Sequence, residues 1–331
     1  MKVEVRYPDE FDEALRETTH AGEEIHLQSG VGYVTAGNWT VLDSPWCNLA
    51  RGVSIFGNGA TLSLRNPVGA DRPDRDVNLI WGAGDNLIHD LAMDGSQAGA
   101  GLHVGGIRIL GRYDIKNVEV RGLRGTWSGV GTLHKEIEVF PFVGFGPGGT
   151  IQDFRVRDCT PGSYVSGVFL VKGGYARDLD IDLGGGNWFA LSGGEDCVFR
   201  RVKVRGARIV LYNDTGPSDK ILLDEVDAEG ANAIVSLVTT DGSAKGHVAV
   251  RDSTFSLVPD AAGDARLVER IDKSTTPKFR FGHVLFSGCD IASSAPRTHA
   301  APTVGAGDPV IFDGCLLPDK TIRIGSIVNE V

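Results

Sequence analysis

Within a short part of the chain, His103, Arg108, His134, Lys135 and Lys172 alternate with Glu136 and Glu138, and Trp81, Trp127, Tyr164, Phe169, Trp188 and Tyr212 lie around them. These residue types suit one kind of chemistry. Taking the proton beside a sugar carboxylate requires a base and a cation that neutralises the carboxylate. Arg108, His134, Lys135 and Lys172 could supply those groups, and His103 could assist. Glu138 would be an acid or base held beside the Arg108 guanidinium. Hydrolysis instead needs two carboxylates about 5–9.5 Å apart, a role open to Glu136 with Glu138, or to Glu138 with a neighbour. The aromatics would stack on sugar faces; alternatively, Trp127 and Trp188 cover an apolar edge. An outward Arg–Glu pair is also an ordinary sheet ladder, stabilising by about 0.2–1 kcal/mol.

A second polar group gathers Lys172, Glu195, Asp196 and Asp214. Gly194-Glu195-Asp196-Cys197-Val198 is similar to the Gly-Asp-Asp-Cys-Ile stretch of polygalacturonase-type hydrolases, which implies catalytic carboxylates at Glu195 and Asp196. That family's preceding Asn-Thr-Asp and later Gly-His-Gly elements are missing, and a polar turn explains the same residues. Asp196 and Asp214 could also hold calcium, although no spaced Asp set defines a site. No other cofactor or metal is expected. Gly144-Phe145-Gly146-Pro147-Gly148-Gly149 reads as a wide turn.

What must position these groups is a repeat. The pattern apolar, any, Asn or Asp, apolar, any, apolar recurs nine times, centred on Asp90, Asn117, Asp153, Asp178, Arg201, Glu225, Asp252, Gly288 and Gly314. The steps between centres are 27, 36, 25, 23, 24, 27, 36 and 26 residues. The apolar residues alternate, as in Val118 and Val120, which is strand periodicity. A second strand precedes each copy: Gly106–Leu110, Glu136–Phe140, Gly167–Val171, Trp188–Ser192, Arg208–Tyr212 and Ala233–Leu237. Strands repeated at this period stack as coils about 4.8 Å apart, each pairing in parallel with its equivalent one coil away. The expected fold is all-β: a right-handed parallel β-helix of about ten coils, forming a single domain over 1–331. Residues 1–24 would cap one end with a short helix near Asp9–Arg16, running to about Gly22, and 318–331 would cap the other. The Asn and Asp at the repeat centres fit a turn that tolerates unusual backbone angles, with side chains bonding nearby amides. Trp81, Arg108 and Glu138 should then share one outward column, followed by Phe169 and Ala190, with Tyr212 beside it.

Several segments carry a family resemblance: Phe11-Asp12-Glu13-Ala14-Leu15, Gly22-Glu23-Glu24-Ile25-His26-Leu27, Gly30-Val31-Gly32-Tyr33 and Val53-Ser54-Ile55-Phe56-Gly57-Asn58-Gly59-Ala60. Together with the repeats, they resemble the pectate-lyase-like superfamily over most of the chain. The resemblance implies the fold and leaves the reaction open, because the superfamily includes lyases, hydrolases, epimerases, esterases, transferases and phage tailspikes. The leading expectation is an enzyme acting on an acidic or complex glycan. One rival is a cytosolic cyclase, isomerase or dehydratase acting on a small molecule. The other is a tailspike-like glycan binder or depolymerase, which would be a trimer; otherwise the chain would be a monomer or homo-oligomer.

The net charge of −10 argues against a nucleic-acid partner. No stretch approaches the roughly 20 apolar residues of a membrane span, so no membrane partner is expected. The first residues have no apolar leader, which fits a cytoplasmic protein, or a secreted one whose leader was removed. Five cysteines have no metal-ligand spacing. Cys289 and Cys315 should stack as a reduced inward pair.

Overall fold

The computed structural model describes residues 1–35, 38–39, 47–64, 76–96, 103–128, 135–137, 139–214, 216–239, 243–273, 281–300, 303–304, 309–318 and 322–327. The architecture is all-β with one short helix, Phe11–Glu17, ending earlier than the expected stop near Gly22. Its Phe11, Ala14 and Leu15 are buried, and Asp12 and Glu13 occupy its first turn, where acidic side chains suit the helix dipole. The chain forms two compact units, Met1–Phe169 with Asp182–Asn187 and Leu170–Ile181 with Trp188–Val331, and the change of unit falls inside the long strand Val168–Glu195.

In the first unit, successive strands pair in parallel one repeat apart. Lys2–Val5 lies beside Glu24–Leu27, which continues the stack through Ser54–Leu64, Asn86–Asp94, Tyr113–Arg121 and Phe142–Arg157. The register aligns Ile25, Ile55, Ile88, Ile115 and Ile151 in one column, all fully buried. β-Branched side chains have few rotamers to lose on such a pleated face.

The second unit builds its core the same way, with Phe199, Leu223, Val250, Phe286 and Phe312 in register and buried. The Phe286 and Phe312 rings stack 5.4 Å apart. Ile322–Ile327 then runs antiparallel to Val310–Leu316. Leu316 N–H donates to the Cys289 carbonyl at 2.9 Å, which brings Cys289 and Cys315 into the same buried position on adjacent strands.

All nine repeat centres have a positive φ, from 46° at Asp252 to 63° at Gly288 and Gly314. This left-handed corner is what Asn, Asp and Gly tolerate, and Arg201 (51°) and Glu225 (55°) are drawn into it by the stacking of their neighbours. In two pairs of centres the side chains bond to one another across repeats, where bonds to nearby amides were expected. Asn117 Nδ2 donates to Asp90 Oδ1 at 2.8 Å, and Arg201 grips both Asp178 oxygens at 2.6 and 2.8 Å.

The sequence frame slips once. Lys135–Ile137 pairs antiparallel with Thr126–Ser128, so the extra length after Asn117 closes on itself as a hairpin. The strand beside Ile107–Ile109 is Phe142–Gly144, not Glu136–Phe140. The glycine-rich segment expected to be a wide turn belongs to the strand Phe142–Arg157. A Cβ on Gly144 or Gly149 would collide with the Tyr113 ring, so those glycines serve close packing.

Candidate functional site

Two groups of polar and aromatic side chains stand out, one in each unit. In the first, Trp81 is in register with Arg108, and Arg108 with Val143. The Arg108 guanidinium lies over the Trp81 ring, 5.6 Å from its centroid, a cation–π contact that holds a flexible side chain in place. Trp81 is 6% exposed and Arg108 is half-buried, so the guanidinium is the more accessible of the two. Val143, 2% exposed, takes the column place expected of Glu138. Glu138 and His134 lie outside the described residues. Lys135 and Glu136 are in the hairpin, where Ser128 faces Lys135 and Trp127 faces Glu136. His103 opens its strand opposite Asp76. Tyr164 is buried, and its carbonyl accepts the Val139 N–H at 3.2 Å. Phe169 is half-buried beside Phe140, ring centroids 6.1 Å apart. Sequence reasoning missed the exposed Leu110 and Phe145, each two residues beyond Arg108 or Val143 and therefore on the same strand face.

In the second unit, Tyr212 is the centre of an aromatic group. Trp188 meets it edge-on at 5.4 Å, and Phe189 stacks on it at 5.3 Å. The Tyr212 hydroxyl donates to Asp214 Oδ2 at 3.3 Å. Both residues are half-buried, on the strand face opposite the buried Asn213. A phenol and a carboxylate beside the half-buried Trp188, backed by the buried Phe189, can together bind a sugar and move a proton.

The polar turn next to this strand is a row of acid–base pairs. Lys172 Nζ meets Glu195 at 2.7 Å, and Lys220 meets Asp196 at 3.5 Å. The Glu195 hydrogen bond and charge raise the Lys172 pKa. The expected four-residue cluster therefore divides: Lys172 joins Glu195, Asp196 turns to Lys220, and Asp214 turns to Tyr212. Farther along, Asp219 Oδ1 is 2.9 Å from His247 Nδ1 and also accepts the His247 backbone N–H at 2.8 Å. Burial pushes the Asp219 carboxyl up, but the His247 hydrogen bonds and charge together with the Lys220 backbone N–H lower the net pKa. His283 packs on His247, ring centroids 4.2 Å apart. These histidines were also missed, although Gly246-His247-Val248 and Gly282-His283-Val284 repeat in the sequence and Val248 pairs with Val284. Among the described residues, no group of three or more His, Cys, Asp or Glu could hold a metal ion. No described helix is long and apolar enough to cross a membrane.

A hollow of about 380 Å³ lies over Asp178, Asp180, Arg201, Lys203, Glu225 and Asp227. Its lining is a lattice of ion pairs: Arg201 with Asp178 at 2.6 Å, Arg205 with Asp180 at 3.1 Å, and Arg200 with Glu225 at 2.8 Å. With Asp178, Asp180, Arg201 and Glu225 already paired and no aromatic wall, it reads as a stabilising ladder. The chemistry is better placed at Tyr212.

No protein-family model matches the chain, and no curated protein is similar to it in sequence. Among solved structures it is similar to the Azotobacter vinelandii mannuronan C-5 epimerase AlgE6 A-module, with a TM-score of 0.53 and 14% identity, over 92% of this chain and 87% of that one. It also matches an alginate lyase from Paenibacillus sp. str. FPU-7, with a TM-score of 0.42 and 11% identity, over 90% and 98% of the two chains. The parallel pairing one repeat apart and the likeness to the epimerase module together give this chain a parallel β-helix fold.

Proposed function

We propose that the protein is a carbohydrate-active enzyme that acts on an acidic glycan by proton transfer beside a sugar carboxylate, as a lyase or an epimerase, on a solenoid of about ten coils. The observation that carries this reading is Tyr212 hydrogen-bonded to Asp214 between Trp188 and Phe189. The sugar ring lies against the aromatic edge, and the phenol oxygen gives or takes the proton while Asp214 holds its orientation. Lys172 is the cation of this unit, its charge maintained by Glu195. A carbanion beside a neutralised carboxylate can be reprotonated from the opposite face, which inverts the centre, or can expel the neighbouring glycosidic oxygen, which leaves a C=C bond. Hydrolysis is less well served, because Glu195 and Asp196 are each engaged by a lysine instead of facing each other across a sugar-sized gap. The epimerase module of similar fold is named for the same class of reaction.

The test is a panel of uronate-containing glycans, read by the absorbance of a new C=C bond and by uptake of solvent deuterium at the sugar carbon. Tyr212→Phe should lower kcat by about 10²–10⁴-fold, and Lys172→Ala should chiefly raise KM. A folded Tyr212→Phe protein working at the full rate would remove the phenol from the mechanism. One observation favours a second reading. All residues of Ala233–Thr239 are buried, and so are Ala190 and Val210. An outer face covered in this way suits a small-molecule isomerase or cyclase, and a panel inactive in both assays would favour it.

A further inference from the structure

Lys245 is 1% exposed. Lysine is rarely buried so completely, because removing an ammonium from water is costly unless hydrogen bonds replace the solvent. Its Nζ donates to Asn213 Oδ1 at 2.9 Å and to the Gly216 carbonyl at 2.6 Å. These two acceptors bracket Asp214. Ser243 Oγ donates to the same Gly216 carbonyl at 2.8 Å, and Asn213 Nδ2 donates to the Gly193 carbonyl at 2.5 Å. The Asn213 amide thus has both ends committed, one to each neighbouring repeat. Asn213 points into the core, while Tyr212 and Asp214 lie on the other face of the same strand.

A buried charge is a poor device for stability, since an apolar side chain of similar volume usually serves as well. It is a good device for fixing geometry. We infer that Lys245 is the positioning residue of the Tyr212–Asp214 pair, clamping both flanks of Asp214 from inside the coil; its catalytic consequence rests on the function proposed above. Without the clamp, Asn213 and the Gly216 carbonyl lose their shared anchor and the Tyr212–Asp214 hydroxyl–carboxylate geometry is lost. The proton-transfer step suffers, while substrate binding at Trp188 is retained.

Lys245→Met keeps the length of the side chain and removes the ammonium. In the folded variant, kcat should fall about 10–100-fold, as a misplacement of roughly 1 Å would give, with KM changed by less than about twofold, because only a transition-state interaction is lost. Lys245→Arg should recover part of the rate. A second readout needs no substrate: in protein labelled at the tyrosine ζ-carbon, with the Tyr212 resonance assigned by its absence in Tyr212→Phe, Lys245→Met should shift that resonance and its alkaline titration. If Lys245→Met does not fold, Asn213→Ala, which removes one leg of the clamp, should give the same shift. A folded variant with an unmoved Tyr212 resonance and an unchanged kcat overturns the inference, and so does a variant that only lowers the melting temperature. A protein inactive on every glycan would refute the proposed function, and the resonance would still decide whether the clamp exists.

Discussion

Arg201 occupies a backbone conformation that ordinarily excludes it, and replacing it should reverse a familiar order of stability. In a strand, Ala is more stable than Gly by about 0.5–1 kcal/mol. At φ 51° a Cβ costs about 1–2 kcal/mol, whereas the extra freedom of Gly in the unfolded chain costs about 0.4–1 kcal/mol. Arg201→Gly should therefore be more stable than Arg201→Ala by about 0.5–1 kcal/mol. Both lose the Asp178 contact, whose side chains are 39% and 29% exposed. At that exposure the pair contributes no more than about 1 kcal/mol after solvent screening. Arg201→Ala should thus lie about 1 kcal/mol below the native protein, with Arg201→Gly close to it. Urea unfolding followed by circular dichroism, with m held equal, measures all three. The ion pair also sets a pH dependence. The Arg201 hydrogen bond lowers the Asp178 pKa, so its stabilisation is complete above the unfolded value near about 4. It disappears as pH falls through the lower folded value, and the deficit of Arg201→Ala should shrink there. If Arg201→Gly proves less stable than Arg201→Ala, the left-handed corner does not govern this position.

Ile88 lies in the middle of the fully buried isoleucine column, so Ile88→Ala should cost about 2–5 kcal/mol in the same urea assay. Burial pushes the Cys159 thiol up to about 12 and raises Cys197 as well, and Cys289 and Cys315 are buried. An aromatic disulfide reagent should accordingly find only the half-buried Cys47 in the native protein and all five thiols after unfolding. Rapid reaction of a second thiol would show that one of these strands opens.

The repeat made the scaffold legible because it relies on one local rule, the left-handed corner, applied nine times. Even Arg201 and Glu225 could be placed by spacing alone. The rule failed where a tertiary cause overrode local signals. Gly144, Gly146 and Gly149 look like turn residues, but their lack of side chains answers the Tyr113 ring and the close approach of Gly111. The strand frame therefore slipped, and Glu138 was assigned a column place that Val143 occupies. The Trp81–Arg108 contact was readable because it follows directly from register. The Lys245–Asn213 clamp was not, since it joins residues 32 apart through side chains that periodicity treats as ordinary polar positions. The histidine pair had a visible trace in its repeated Gly-His-Val.

The reversed strand Ile322–Ile327 has a consequence for self-assembly. A stack of parallel coils is in principle an unfinished polymer, because its last edge offers a template to which another chain could add. Here that edge, along Val310–Leu316, is occupied by a strand running the other way. The new outer rim carries donors and acceptors in the wrong polarity for another parallel coil. The strand covers that edge, and deleting it should leave Val310–Leu316 open as a template for pairing with another chain.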